Sequence, residues 1–273
     1  MTLDSIKYIV TVGTSFTHGG GYAEGTDTIK ILNKYENNIP STQEECSWPA
    51  FLKKLIKSEI KIYNLALPGT GIEYLIRTTN EWIMKNENKV KDTLFLLENS
   101  GYGRIELWDN EVERYVVCNW DYGVRKDNFC VSLHNGISWR NSKKLNDKIG
   151  SGEIQVEKFL DRYCSPMLLI ENLQSQFFDF LCKLKYHGIN FKIFGEHFYD
   201  ESFQNDNIVK GNRLYLNDNK NIQHCGIYQF IAANKVQIKN ITNGEINDDH
   251  ACLEGNRQIA EQYYNQLKEL YKL

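Results

Sequence analysis

Apolar positions in this chain follow two rhythms. Short runs of aliphatic and aromatic residues recur at Lys7–Val12, Ile60–Leu67, Thr93–Leu97 and Asn190–Phe194, lengths and compositions suited to strands. The run Thr93-Leu94-Phe95-Leu96-Leu97 does not alternate, as expected of a parallel strand buried on both faces. Between these runs the apolar residues fall at helical spacing. Ser47-Trp48-Pro49 opens a helix through Ile56, with Ser47 placed to cap it and Pro49 tolerated in its first turn. A second helix runs from about Ile72 to Met84, where Ile72, Leu75, Ile76 and Ile83, with Trp82 beside the last, share a helical period. Two more are expected from about Met167 to His187 and from about Leu253 to Leu270. Strand followed by helix, repeated, predicts an α/β fold: three layers, with a mostly parallel sheet covered by helices on both faces.

The segment from Arg104 to about Arg140 breaks the rhythm. It is rich in Trp, Tyr and Val, lacks a helical period, and carries turn signals at Asp109-Asn110 and Asn135-Gly136. It reads as a β-rich insertion at about 104–140. With four prolines in 273 residues and no Pro/Gly/Ser-rich linker, residues 1–273 are expected to form a single domain.

Composition narrows the function classes. Hydrophobic residues make up 41%, charged residues 25%, and the net charge is −3. No basic run marks a nucleic-acid footprint or an electrostatic membrane anchor. The first apolar run, Tyr8 to Gly13, is too short for a signal-peptide core and reads as a strand. No stretch approaches the ~18 apolar residues of a transmembrane helix, so the expectation is a soluble, cytoplasmic protein. Cysteines at 46, 118, 130, 164, 182, 225 and 252 show neither CxxC pairs nor zinc-ligand spacing. Reduced, mostly buried thiols are expected, and no metal.

Ligands of parallel sheets bind where strands end and loops enter helices. Ser15 stands there, in the glycine-rich loop Gly13-Thr14-Ser15-Phe16-Thr17-His18-Gly19-Gly20-Gly21 after the first strand. That loop lacks both the phosphate-binding GK[ST] ending and the dinucleotide GxGxxG spacing. Gly69 follows the second strand, and Asn99 follows the third, where a side-chain amide can donate to an oxyanion. His250, in Asn247-Asp248-Asp249-His250, stands before the last helix with a carboxylate two residues ahead of it, able to orient the ring toward a serine. His197, in Glu196-His197 after the fourth strand, is its rival.

Taken in order, Gly13-Thr14-Ser15, Gly69, Asn99, and Asp248 with His250 resemble the four blocks of the SGNH/GDSL hydrolase superfamily. Ser47-Trp48-Pro49, Asn64-Leu65-Ala66-Leu67-Pro68-Gly69 and Ile76-Arg77-Thr78-Thr79 are similar to segments of SGNH-type proteins common in phage and bacterial genomes. Asp248-Asp249-His250-Ala251-Cys252-Leu253-Glu254-Gly255-Asn256 is similar to their Asp-x-His-Pro-x-x-x-Gly-His ending. The resemblance covers roughly the first hundred and last thirty residues. Gly-Thr-Ser replaces the commoner Gly-Asp-Ser, Leu97 and Ser100 stand where the third block has glycine and aspartate, and Ala251 replaces proline. The usual Asp-x-x-His spacing would select Asn247, which leaves Asp248, with Asp249 as the alternative.

The resemblance implies a flavodoxin-like SGNH fold and a serine esterase. Ser15 is then the nucleophile, His250 its base and Asp248 the group that holds the imidazole tautomer. The amides of Ser15 and Gly69, with the Asn99 side chain, form the oxyanion hole. No cofactor is implied. The expected partner is a small-molecule or glycan ester, with no nucleic acid and no membrane; a phage-encoded chain would be virion-associated. A short acyl ester, such as an O-acetyl group on a carbohydrate, suits the absence of a long amphipathic lid and the supply of Trp108, Tyr115, Trp120, Tyr122 and Trp139. Two other readings stay open: a catalytically silent SGNH-fold module that binds glycan or serves a structural part, and a thiol enzyme using Cys252 beside His250.

Overall fold

In the computed structural model the apolar runs assemble into parallel β-structure. The structure describes residues 5–19, 44–56, 59–99, 104–109, 114–120, 129–133, 166–195, 207–214, 216, 237–238, 250–251 and 253–271. Strand β1 (Tyr8–Val12) leads into the short helix α1 (Ser15–His18). Helix α2 (Trp48–Ile56), strand β2 (Lys61–Asn64), helix α3 (Ile72–Lys85) and strand β3 (Thr93–Glu98) follow. Strands β4 (Arg104–Asp109), β5 (Arg114–Trp120) and β6 (Phe129–Leu133) occupy the middle. The rest comprises α4 (Pro166–Tyr186), β7 (Asn190–Phe194), α5 (Asn207–Asn212), β8 (Gln237–Ile238), β9 (His250–Ala251) and α6 (Leu253–Tyr271).

The main sheet has the order β2-β1-β3-β7, and each neighbouring pair is parallel. The α/β class expected from the sequence is therefore observed. Beyond β7, Arg213 bridges to Ile193 in parallel and the Leu214 amide donates to the Ile193 carbonyl at 2.8 Å. The central position of β3 explains its composition: all six of its residues are buried, which only a strand covered on both sides requires.

Successive residues of the central strands enter two apolar clusters. Ile9, Leu94, Leu96 and Phe194 pack with Trp48 and Leu52 of α2 and with Ile259, Tyr263 and Leu267 of α6. Val10, Val12, Phe95, Leu97 and Ile193 pack with Ile72, Leu75 and Trp82 of α3 and with Phe177 and Leu181 of α4. An aromatic edge-to-face pair sits in each: Trp48 with Phe194, centroids 5.2 Å apart, and Trp82 with Phe95, 5.4 Å apart. Each fully buried side chain of this size contributes about 1.5–3 kcal/mol. The two-residue period of the strands is thus what holds the helices on the sheet.

The second strand is shorter than its apolar run. Ile60–Leu67 was the sequence expectation, whereas β2 ends at Asn64. The Asn64 side chain is the cause: its Oδ1 accepts the Ala66 amide at 3.2 Å and its Nδ2 donates to the Thr17 carbonyl at 3.0 Å. The chain nevertheless stays alongside β1, with the Leu65 amide on the Thr11 carbonyl and the Leu67 amide on the Gly13 carbonyl. Helix α2 begins at Trp48, with the preceding Ser47 carbonyl accepting the Ala50 and Phe51 amides at 3.1 and 3.3 Å. The Trp48 amide donates to Asn256 Oδ1 at 3.1 Å, so a side chain from α6 satisfies one of the amides that a helix start leaves open.

The Trp/Tyr/Val-rich middle forms a separate antiparallel sheet, β4-β5-β6, with Trp108 opposite Tyr115 and Trp120 opposite Phe129. Tyr122 and Trp139 lie outside the described residues. Strand β4 is fastened to α3 by charged groups. Arg77 forms two hydrogen bonds with the Glu106 carboxylate, at 3.1 and 2.9 Å, and Glu73 accepts the Glu106 amide. Among the described residues no helix is long and apolar enough to cross a membrane.

Candidate functional site

The strand order reverses direction between β1 and β3: β2 lies on one side of β1, and β3 and β7 on the other. At such a point the loops leaving two adjacent strands diverge and open a crevice at their carboxyl ends. Val12 and Leu97 are paired in the sheet, so Gly13-Thr14-Ser15 and Glu98-Asn99 leave it side by side. Two of the four sequence blocks therefore meet through sheet register alone.

Ser15 is the first residue of α1 and is half-buried; Thr14 precedes it in extended conformation. The Thr14 carbonyl accepts the His18 amide at 2.9 Å, and the Ser15 carbonyl accepts the Gly19 amide at 3.1 Å. This single turn leaves the Ser15 amide without a carbonyl one turn earlier, as at any helix start.

The Gly69 loop is tied to the same turn. The Gly13 carbonyl accepts the Leu67 amide at 2.9 Å, and the single Thr70 hydroxyl proton is shared between the Leu67 carbonyl at 2.7 Å and the Gly13 carbonyl at 3.3 Å. Gly69 has φ +75°. Asn99 is fully buried, and its amide donates to the Phe194 carbonyl at 2.7 Å. The next residue along β7 is Gly195, at φ +118°, where a Cβ would fall 2.7 Å from the Asn99 carbonyl oxygen. Glycine is needed there to let the two strand ends close together.

His250 is on β9, paired with Ile238 of β8. Strand β9 passes α1 with Cα atoms of the two elements within 8 Å, so the backbone carrying His250 runs beside the turn carrying Ser15. Asp248, Asp249, His197 and Cys252 lie outside the described residues. Asn256 anchors β9 from α6: its Nδ2 donates to the Ala251 carbonyl at 3.1 Å while its Oδ1 holds the Trp48 amide.

A buried carboxylate that the sequence motifs do not mark binds the Ser15 turn. Glu98 ends β3 and is 4% exposed. Its Oε2 accepts the Thr14 amide at 2.8 Å and the Thr17 hydroxyl at 2.5 Å, and its Oε1 accepts the Thr14 hydroxyl at 2.5 Å. Three donors converging on one carboxyl suit its ionised form, which only accepts. The available signal was a lone carboxylate closing an otherwise apolar, unalternating strand. Gly13 is explained by the same group: a Cβ there would lie 2.6 Å from Glu98 Cβ and 2.8 Å from the Thr17 hydroxyl oxygen. The glycine makes room for the glutamate.

A second charged cluster adjoins the site through Gly71. A Cβ on Gly71 would lie 2.9 Å from Arg104 Cβ, and Arg104 donates to the Thr70 carbonyl at 3.1 Å. In the first turn of α3, burial pushes the Glu73 carboxyl above its ordinary value; the Glu106 amide opposes that rise and the Glu106 carboxylate adds to it. The start of β4 is thereby fixed beside the Gly69 loop.

No family model matches the chain, and no curated protein is significantly similar to it.

Proposed function

We propose that the chain is a serine esterase of the SGNH/GDSL kind, acting on a short acyl ester such as an O-acetyl group on a carbohydrate. The observation that carries this reading is the meeting of the Ser15 turn, the Gly69 loop and the Glu98-Asn99 strand end at the carboxyl ends of β1 and β3, joined through the Gly13 carbonyl and the Glu98 carboxylate. The approach of β9 to α1 supports His250 as the base. The two apolar clusters, one holding α2 and α6 and the other α3 and α4, support the three-layer, flavodoxin-like arrangement. On this reading β4–β6 form an insertion into one domain.

Ser15 Oγ attacks the ester carbonyl carbon while His250 takes its proton, and Asp248 keeps the imidazole in the tautomer that accepts it. Negative charge gathers on the former carbonyl oxygen and is met by the Ser15 and Gly69 amides and the Asn99 side chain. Each such donor is typically worth ~2.7–4 kcal/mol in the transition state. Collapse expels the alcohol, which takes the proton from His250, and leaves an acyl-Ser15 ester. Water then adds to that ester, giving up a proton to His250, and collapse releases the acid while His250 returns the proton to Ser15 Oγ. The sequence Trp108, Tyr115 and Trp120, on the β4–β5 strands, offers aromatic groups suited to stacking on a sugar ring.

Incubation with a fluorophosphonate followed by peptide mapping tests the assignment. Modification of Ser15, and loss of esterase activity in Ser15→Ala with the melting temperature preserved, is the expected result. A folded wild-type protein that takes no label would favour the catalytically silent module instead.

A further inference from the structure

We propose that Glu98 is the positioning residue of the nucleophile turn: its buried carboxylate, closing β3, grips the Thr14 amide and the Thr14 and Thr17 hydroxyls and so sets the direction in which Ser15 leaves β1. The inference rests on the reading of Ser15 as nucleophile, although the grip itself is independent of that reading.

The residues that make the contact are themselves buried and leave little freedom. Thr14 is 2% exposed and Thr17 is fully buried. They flank Ser15, one before it and one two residues after, so the carboxylate holds the turn on both sides of the serine while leaving the serine itself half-buried. The loop carries threonine where the resembled pattern carries aspartate, and here the carboxylate arrives from the neighbouring strand. Gly13 completes the arrangement, because any side chain at that position would occupy the volume of Glu98.

A carboxylate in this position also chooses which amide faces outward. The Thr14 amide is consumed by Glu98 Oε2, so the next amide, that of Ser15, is the one left for an acyl oxygen. A shift of the turn would alter both the nucleophile's approach and the oxyanion donor together. Misplacement by about 1 Å typically costs a reaction about a hundredfold. The signature is therefore a fall in kcat with KM little changed, because the nucleophile's approach and the oxyanion donor act in the transition state rather than in holding the ester.

The test compares wild type with Glu98→Gln, which keeps shape and one carbonyl acceptor but loses the charge, and with Glu98→Asp, which keeps charge but is one methylene short. The fluorophosphonate labelling rate at Ser15 and the kcat and KM for p-nitrophenyl acetate are read on each folded protein. Amide hydrogen exchange at Thr14 is read alongside. The expected result is a labelling rate and a kcat lowered about tenfold in Glu98→Gln and about a hundredfold in Glu98→Asp, KM within about twofold of wild type, and faster Thr14 exchange in both. Unchanged labelling together with unchanged Thr14 exchange in Glu98→Gln would overturn the inference. A wild type that takes no label defeats the nucleophile assignment instead, and the Thr14 exchange of Glu98→Gln then decides the grip alone: faster exchange upholds it and equal exchange overturns it.

Discussion

Asn256 ties α6 to the neighbouring β9 and to the distant start of α2, and its removal has a cost that can be worked out from those two bonds. It is 1% exposed, accepts the Trp48 amide and donates to the Ala251 carbonyl, both at 3.1 Å. In Asn256→Ala the Trp48 amide, at the first turn of α2 in a fully buried residue, loses its acceptor. Orphaning a buried donor costs about 1–3 kcal/mol, and losing the ordinary bond to Ala251 adds about 0.5–1.5 kcal/mol. The expected destabilisation is about 1.5–4.5 kcal/mol, measured by urea unfolding. The corresponding fall in melting temperature is about 3–18 °C, using about 2–4 °C per kcal/mol for chains somewhat shorter than this one. Because the Ala251 carbonyl belongs to the strand that carries His250, the Ser15 labelling rate should fall as well, in protein that is still folded. Asn256→Asp divides the two arms, since a carboxylate still accepts the Trp48 amide but cannot donate to Ala251. A loss below about 0.5 kcal/mol in Asn256→Ala would refute the reasoning, for it would mean that these bonds are replaced by water or by a local shift.

Two further substitutions probe the surroundings of the site. Gly195→Ala places a methyl 2.7 Å from the Asn99 carbonyl oxygen at φ +118°, and should cost about 1–3 kcal/mol in stability while lowering kcat through displacement of Asn99; wild-type stability and kcat would show that the β3–β7 closure tolerates a side chain. Glu73 has a carboxyl held above its ordinary value of 4.5 chiefly by burial, so the folded state binds the proton more tightly than the unfolded one and the contribution of Glu73 to stability declines as pH rises from about 4.5 through its raised folded-state value. Glu73→Gln lacks that decline, and the difference in unfolding free energy should move in its favour across the same window; a pH-independent difference would remove Glu73 from the account.

Much of the fold could be read from residue patterns because its strands are nearly pure. Thr93–Leu97 is apolar without alternation, and it became the strand buried throughout; Asn190–Phe194 and the helix from Ile72 came within a residue of the expected bounds. The second strand was overread because apolarity continues to Leu67 while the turn is made by a side chain, Asn64, catching the Ala66 amide. The start of α2 after Ser47 is legible locally, whereas the hold of Asn256, 208 residues away, on the Trp48 amide is not. Periodicity has no means of showing such a pair. Glu98 was hidden for a related reason. A carboxylate beside an asparagine at a strand end suggests a solvated turn, and only the return of Thr14 and Thr17 across the neighbouring strand gives it donors. Ser15, Gly69 and Asn99 were each weak turn residues singly, and their order along the chain carried the reading. Their neighbourhood follows from the reversal of strand order between β1 and β3, which no local pattern encodes.

The central claim is that Ser15 is a nucleophile activated by His250, and the most direct measurement is the rate of fluorophosphonate modification at Ser15, mapped by peptide, in wild type and in His250→Ala as a function of pH. Labelling at Ser15 that rises with pH as the His250 imidazole loses its proton, and that falls by several powers of ten in His250→Ala, is the predicted result. Labelling of Ser15 at the same rate in His250→Ala, or modification of a different residue in the folded wild type, would contradict it.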